Sequence, residues 1–155
     1  MHRQALIVGG GIGGLCAAIC LRLTGWDVQV FEQAPEITEI GAGLQISPNG
    51  VKILEHIGVM ERLESAVFEP EAIEIRMGVS GRPILYLPMK AAAAERWGAR
   101  YIQVHRADLI TALSARLEAL QRGAVQTGCP VRGYAPCKDG AEVILANGRR
   151  IQADL

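Results

Sequence analysis

The sequence predicts an α/β fold: a parallel βαβ unit joined to an antiparallel three-stranded meander, with one β-hairpin making an excursion into a second layer. Three observations predict it. A glycine-rich turn separates an apolar run from a helical run near the start of the chain. A second strand-like run, "DVQVFE" (Asp27 to Glu32), follows that helix directly. Near the end, Asp139-Gly140 and Asn147-Gly148 separate three short runs, and such pairs favour tight hairpins. The 155 residues, 50% of them apolar, suffice for one modest core. The zero formal net charge points away from nucleic acid and anionic membranes. No apolar run reaches bilayer length and the start lacks a signal-peptide pattern, so a cytoplasmic protein without a membrane partner is expected.

The first element is "QALIV", Gln4 to Val8, an apolar run suited to a buried strand. "GGGIGGLCAAICLRL" follows and runs into a helix, although glycine disfavours a helix by roughly 1 kcal/mol relative to alanine. Close approach of a ligand to the backbone explains the choice. Gly9, Gly11 and Gly14 fit G-x-G-x-x-G at a strand-to-helix turn. There Gly9 permits the tight turn and Gly11 lets a pyrophosphate reach the backbone. Gly14 lets helix and strand pack closely, and the free N–H groups of the first helical turn hold the phosphate charge. The helix stops at Thr24-Gly25, and the next strand ends in Glu32, 18 residues after Gly14, where a ribose-binding acid is expected. Strand, glycine turn, helix, strand and acid in this order make the unit Rossmann-like.

A long connection, "QAPEITEIGAGLQISPNG", follows, and its length suggests function. Ser47-Pro48 then opens a helix, "NGVKILEHI", stopped by Gly58, and "MERLESAV" predicts a second short helix. "EAIEIRM", "GVSG" and "RPILYLPM" predict the hairpin that leaves the βα alternation. "KAAAAERWGARY" is a mobile or loosely helical connection. "HRADLITALSARLEALQRG" predicts a helix with Leu109, Leu113, Leu117 and Leu120 on one face, Asp108 in its first turn and Gly123 as its stop. The meander runs through "VRGYAPC", "AEVILA" and "RRIQADL". The last run, "IQADL", enters a new apolar strand. With only two parallel strands laid down by then, the expectation is an incomplete fragment of a longer chain.

Cys16, Cys20, Cys129 and Cys137 form no C-x-x-C, and His2, His56 and His105 have no metal-ligand spacing. The cysteines are expected to pack, and no metal site is predicted.

The pieces "VGGGIGGL", "VFEQAPEITEIGAGLQISPN", "VHRADL" and the terminal "ADL" together resemble the FAD-dependent aromatic hydroxylases, single-component flavoprotein monooxygenases such as the salicylate and 3-hydroxybenzoate hydroxylases. The resemblance spans the chain. It implies an FAD-binding domain formed by residues 1–68 and 99–155, with 69–98 belonging to a substrate-domain sheet. It places Gly9, Gly11, Ile12, Gly13 and Gly14 at the pyrophosphate. Glu32 falls at the adenosine ribose with Gln33 beside it, Gly43 and Gln45 of "GAGLQ" near the flavin end, Arg106 at the cofactor, and Val131 beside the adenine. An arginine just before a helix can also aim its fork at a phosphate or flavin carbonyl on physical grounds.

The implied reaction is hydroxylation of a small hydroxybenzoate-like aromatic with molecular oxygen through a flavin C4a-hydroperoxide, with NAD(P)H as co-substrate. No catalytic acid–base pair is assigned here, and the substrate-activating groups are expected in the rest of the same polypeptide beyond residue 155. Three alternatives share the glycine turn and Glu32. They are a nicotinamide-dependent dehydrogenase, a non-hydroxylating FAD oxidoreductase, and a non-catalytic nucleotide-binding remnant.

Overall fold

A computed structural model of the chain describes residues 3–37 and 42–155. Its elements are β1 (Gln4–Val8), α1 (Ile12–Leu23), β2 (Asp27–Phe31), β3 (Gly43–Ile46), α2 (Pro48–His56), α3 (Met60–Leu63), β4 (Val67–Phe68), β5 (Ala72–Arg76), β6 (Pro83–Pro88), α4 (Lys90–Trp97), β7 (Ile102–His105), α5 (Arg106–Leu120), β8 (Val125–Gln126), β9 (Val131–Cys137), β10 (Gly140–Leu145) and β11 (Arg150–Ala153). Two compact units result: Met1–Glu39 with Leu109–Leu155, and Ile40–Asp108. No helix among the described residues is long and apolar enough to cross a membrane.

In the first unit β1 and β2 pair in parallel, from Gln4 opposite Asp27 to Val8 opposite Phe31. A third parallel strand, the two-residue β8, joins β2 at Val30 and Phe31, beyond the two that the sequence pattern predicts. Helix α1 connects β1 to β2 and buries Leu15, Ala18 and Ile19, a spacing that puts them on one face. It ends in a Schellman motif. Gly25 takes φ +89°, its N–H bonds the Arg22 carbonyl, and the Trp26 N–H bonds the Leu21 carbonyl. The meander is antiparallel in the order β11-β10-β9. Its first turn is Lys138-Asp139, one residue earlier than the Asp139-Gly140 pattern predicts, because Gly140 already pairs with Cys137. Phe31, Val143 and Leu145 form a buried cluster with Leu6, Cys129, Val131 and Ile151 around it, which joins the meander to the parallel sheet. Beyond β11, Leu155 donates to the Gln4 carbonyl and accepts from the Leu6 N–H, so it bridges the other edge of β1 in parallel register.

The second unit carries an antiparallel sheet in the order β3-β7-β4 and the β5-β6 hairpin. Ser47 and Pro48 open α2 at the N-cap and first helical positions, as the sequence predicts. The segment 90–97 is a regular helix, α4, closed by Gly98 in the left-handed conformation. The predicted second helix stops after Leu63, because Val67 and Phe68 pair with β7 instead. Val51, Leu54, Ile57, Val59, Met60 and Leu63 are buried, as are Ile102 and Val104 of β7. Arg100 pairs with both Glu64 and Glu69, and these contacts hold its pKa up while lowering that of Glu64. The predicted hairpin forms, with Ile73 opposite Leu87 and Ile75 opposite Leu85.

Candidate functional site

At the C-terminal end of β1 the chain turns through Gly9, whose φ of +100° suits glycine. The Gly9 N–H still bonds the Phe31 carbonyl at 2.8 Å, so the turn begins inside the sheet ladder. A β-carbon on Gly14 would lie 1.9 Å from the Gly9 carbonyl oxygen, so only glycine allows this approach of helix to turn. A β-carbon on Gly11 or Gly13 would meet no described atom within 4 Å. Gly11 is the N-cap of α1 and offers no side-chain acceptor, and the first turn contains no acid. Among the described residues, the helix therefore presents N–H donors without a side-chain cap, and the positive end of its dipole, where nothing crowds Gly11 or Gly13.

Glu32 stands just past the end of β2. Its Oε2 accepts from the Gly10 N–H at 2.6 Å, and its Oε1 accepts from the Ala34 N–H at 2.8 Å. These donors, Ala34 first and then Gly10, hold its carboxyl below the usual carboxylate range, against the opposing effect of burial. It is a fixed anion at neutral pH, and each oxygen keeps a lone pair for a hydroxyl donor. Sequence reasoning missed the parts that Gly10 and Ala34 play, since both act through the backbone. Three consecutive glycines at 9–11 are the signal for Gly10, whose β-carbon would lie 3.1 Å from the Glu32 Cβ.

Two cavities meet at Glu32. One of about 190 Å³ is lined by Val8, Gly9, Phe31, Glu32, Gln33 and Val131. The other, about 120 Å³, is lined by Gly10, Gly11, Glu32, Ala34, Glu36, Ile37 and Ile110. The first brings together four residues singled out from the sequence, Gly9, Glu32, Gln33 and Val131, and the second adds Gly11. Ile12, Gly13 and Gly14 form the first turn of α1 beside them.

Gly43, Gln45 and Arg106 belong to the second unit. Gly43 and Gln45 share the exposed face of β3, opposite His105 and Gln103 of β7. Arg106 opens α5 immediately after β7, and its N–H donates to the Ala42 carbonyl. Antiparallel pairing thus puts Gly43 and Arg106 at one end of this sheet. Gly41, which begins the "GAGLQ" stretch, lies outside the described residues. No group of three or more metal-ligating side chains occurs among the described residues.

The donors suit a dinucleotide. A pyrophosphate needs clustered N–H groups and backbone without side chains, and a ribose diol needs a fixed carboxylate. A family model described as "FAD binding domain" matches residues 2–147. The chain is 37% identical over 149 residues to the 3-amino-4-hydroxybenzoate 2-monooxygenase of Streptomyces cremeus, covering 96% of this chain and 37% of that protein. It is 34% identical over 148 residues to 3-hydroxybenzoate 6-hydroxylase 1 of Aquipseudomonas alcaligenes, covering 96% of this chain and 38% of that protein. Among solved structures, HpxO of Klebsiella pneumoniae, complexed with FAD and uric acid, superposes with a TM-score of 0.83 at 32% identity, covering 99% of this chain and 38% of that one. The chain therefore spans a little over a third of the length of these relatives.

Proposed function

The chain belongs to the FAD binding domain family, and from that premise we propose that it is the flavin-binding part of an NAD(P)H-dependent monooxygenase that hydroxylates a small, hydroxybenzoate-like aromatic compound. The observation that carries the dinucleotide assignment is the Glu32 carboxylate, ionised and fixed by the Gly10 N–H directly at the glycine turn. A nicotinamide dehydrogenase would share that turn and acid. The family match favours flavin because it continues past them to residue 147.

In this reading the N–H groups of the first turn of α1 hold the pyrophosphate, and bare backbone at Gly11 and Gly13 admits it. Glu32 accepts hydrogen bonds from the adenosine ribose, while Gln33 and Val131 line the adenine side. Gly43, Gln45 and Arg106 serve the flavin end, where a guanidinium can donate to a phosphate or ring carbonyl. Bound FAD would supply the redox chemistry, accepting hydride from NAD(P)H and activating oxygen. The 69–98 hairpin belongs to the substrate-domain sheet, with 1–68 and 99–155 forming the FAD-binding domain.

The test uses the full polypeptide that carries this chain. Purified protein is expected to show flavin absorbance, and hydroxybenzoates are expected to stimulate oxygen uptake with NAD(P)H and to yield a hydroxylated product. A colourless protein would overturn the cofactor assignment. NAD(P)H oxidation without hydroxylated product would overturn the reaction assignment.

A further inference from the structure

Helix α1 carries two cysteines that the dinucleotide site does not use. Cys16 is half-buried and Cys20 is exposed, and both are free thiols. They stand four residues apart, one turn along the helix, so they share one flank of it, beside the face that buries Leu15, Ala18 and Ile19. Gly13 and Ala17, exposed on the same flank, are too short to cover the sulfurs. The two thiols feel each other. Burial pushes the Cys16 thiol up, and the neighbouring Cys20 adds to the rise.

The helix decides what such a pair can hold. Residues four apart keep their β-carbons about 5–6 Å from each other. A disulfide needs about 3.5–4.5 Å between β-carbons, so direct oxidation of the pair would distort the helix. A single atom placed between the sulfurs makes up the difference with two bonds of its own. Zinc is a poor fit, because it takes four ligands and no group of three or more metal-ligating side chains occurs among the described residues. Helix α1 itself contains no acid and no histidine. A soft atom satisfied by two thiolates is what the pair suits.

We propose that Cys16 and Cys20 form a dithiol site for a monosubstituted trivalent arsenical, which bridges the two sulfurs. The step is a condensation with no change of oxidation state: R–As=O and two S–H groups give two As–S bonds, and the arsenic-bound oxygen leaves as water with both thiol protons. The exposed Cys20 attacks first, and closure by Cys16 is then intramolecular. The proposal does not depend on the flavin assignment. The probe is phenylarsine oxide, added in equimolar amount to the purified full polypeptide, which is then challenged with the monothiol glutathione. Cleavage after Arg3 and Arg22 releases residues 4–22 with both cysteines in one peptide, so mass spectrometry assigns the adduct. The expected result is one arsenical on this peptide with both thiols consumed, released by the dithiol 2,3-dimercaptopropanol. Cys20→Ser and Cys16→Ala should each lower the glutathione concentration needed for removal by about 100-fold or more, the scale of a lost second attachment. Cys20→Ser alters an exposed position, so it keeps the test open even where Cys16→Ala disturbs packing. An arsenical absent from this peptide, or one as resistant to glutathione in Cys20→Ser as in the parent, would overturn the proposal.

Discussion

Glu32 is held at both oxygens before any ligand arrives, so its orientation costs a cofactor little entropy. Replacing it with alanine removes a charge-assisted acceptor worth about 1.5–3 kcal/mol, and FAD affinity measured by titration should fall at least about ten-fold. Its depressed pKa also ties stability to pH. The stabilisation is fully present above the ordinary value of 4.5 and is lost as pH falls through the lower folded value. Glu32→Gln does not titrate, so its stability deficit at pH 7 should shrink below about pH 4.5. Urea unfolding at both pH values checks this, and a constant deficit would refute it. Gly11 and Gly14 separate ligand from fold. Gly14→Ala drives a β-carbon onto a backbone oxygen and should destabilise the flavin-free protein by about 1–3 kcal/mol or more. Gly11→Val meets open space at an ordinary φ of −75°, so it should stay within about 1 kcal/mol of the parent yet be recovered without flavin. A Gly11→Val protein carrying a full complement of flavin would remove the pyrophosphate from this turn. These glycines and Glu32 were legible because their spacing is fixed by a turn. The donors on Gly10 and Ala34 were not, since every residue but proline carries an N–H.

Strand β2 shows what an element needs beyond its own sequence. Strand β8 covers only Val30 and Phe31 on its outer edge, and Val28, fully buried, lies beyond that reach. The Gln121 side chain takes the place of a strand there. Its Oε1 accepts from the Val28 N–H at 3.0 Å, and its Nε2 donates to the Val28 carbonyl at 2.8 Å. Gln121→Ala would leave two buried backbone groups unpaired, so a loss of about 1–3 kcal/mol is expected from the urea midpoint. Gln121→Glu should also destabilise, because a carboxylate cannot donate to the carbonyl. Values within about 0.5 kcal/mol of the parent for both variants would show that water replaces the amide. The long helices and the hairpins were readable from periodicity and turn residues. Strands β3, β4, β7 and β8, of two to four residues, were not, because alternation needs more positions than they possess.

For the whole molecule, the α/β class and the meander followed from local patterns, while the β3-β7 pairing joins residues some sixty positions apart and left no local trace. The hairpin is the part whose surroundings the chain least accounts for: Ile75, Val79, Ile84, Leu85, Tyr86 and Leu87 are all exposed. Its register has a consequence for self-association. The Met89 N–H bonds the Glu71 carbonyl and the Met77 N–H bonds the Arg82 carbonyl. Pro83 and Pro88, opposite Arg76 and Ala72, therefore sit at positions whose nitrogens face the free edge of β6. Proline has no proton to offer there, so the edge carries a gap at each end. The β5 edge keeps its donors at Ala72, Glu74 and Arg76. The ribbon thus has one edge fit for a further strand and one that resists it, which restrains sticky ribbons from stacking edge to edge into aggregates. Restoring donors with Pro83→Thr and Pro88→Thr together should raise light scattering at concentrations where the parent stays monodisperse. Equal scattering from both proteins would mean that the prolines guard nothing.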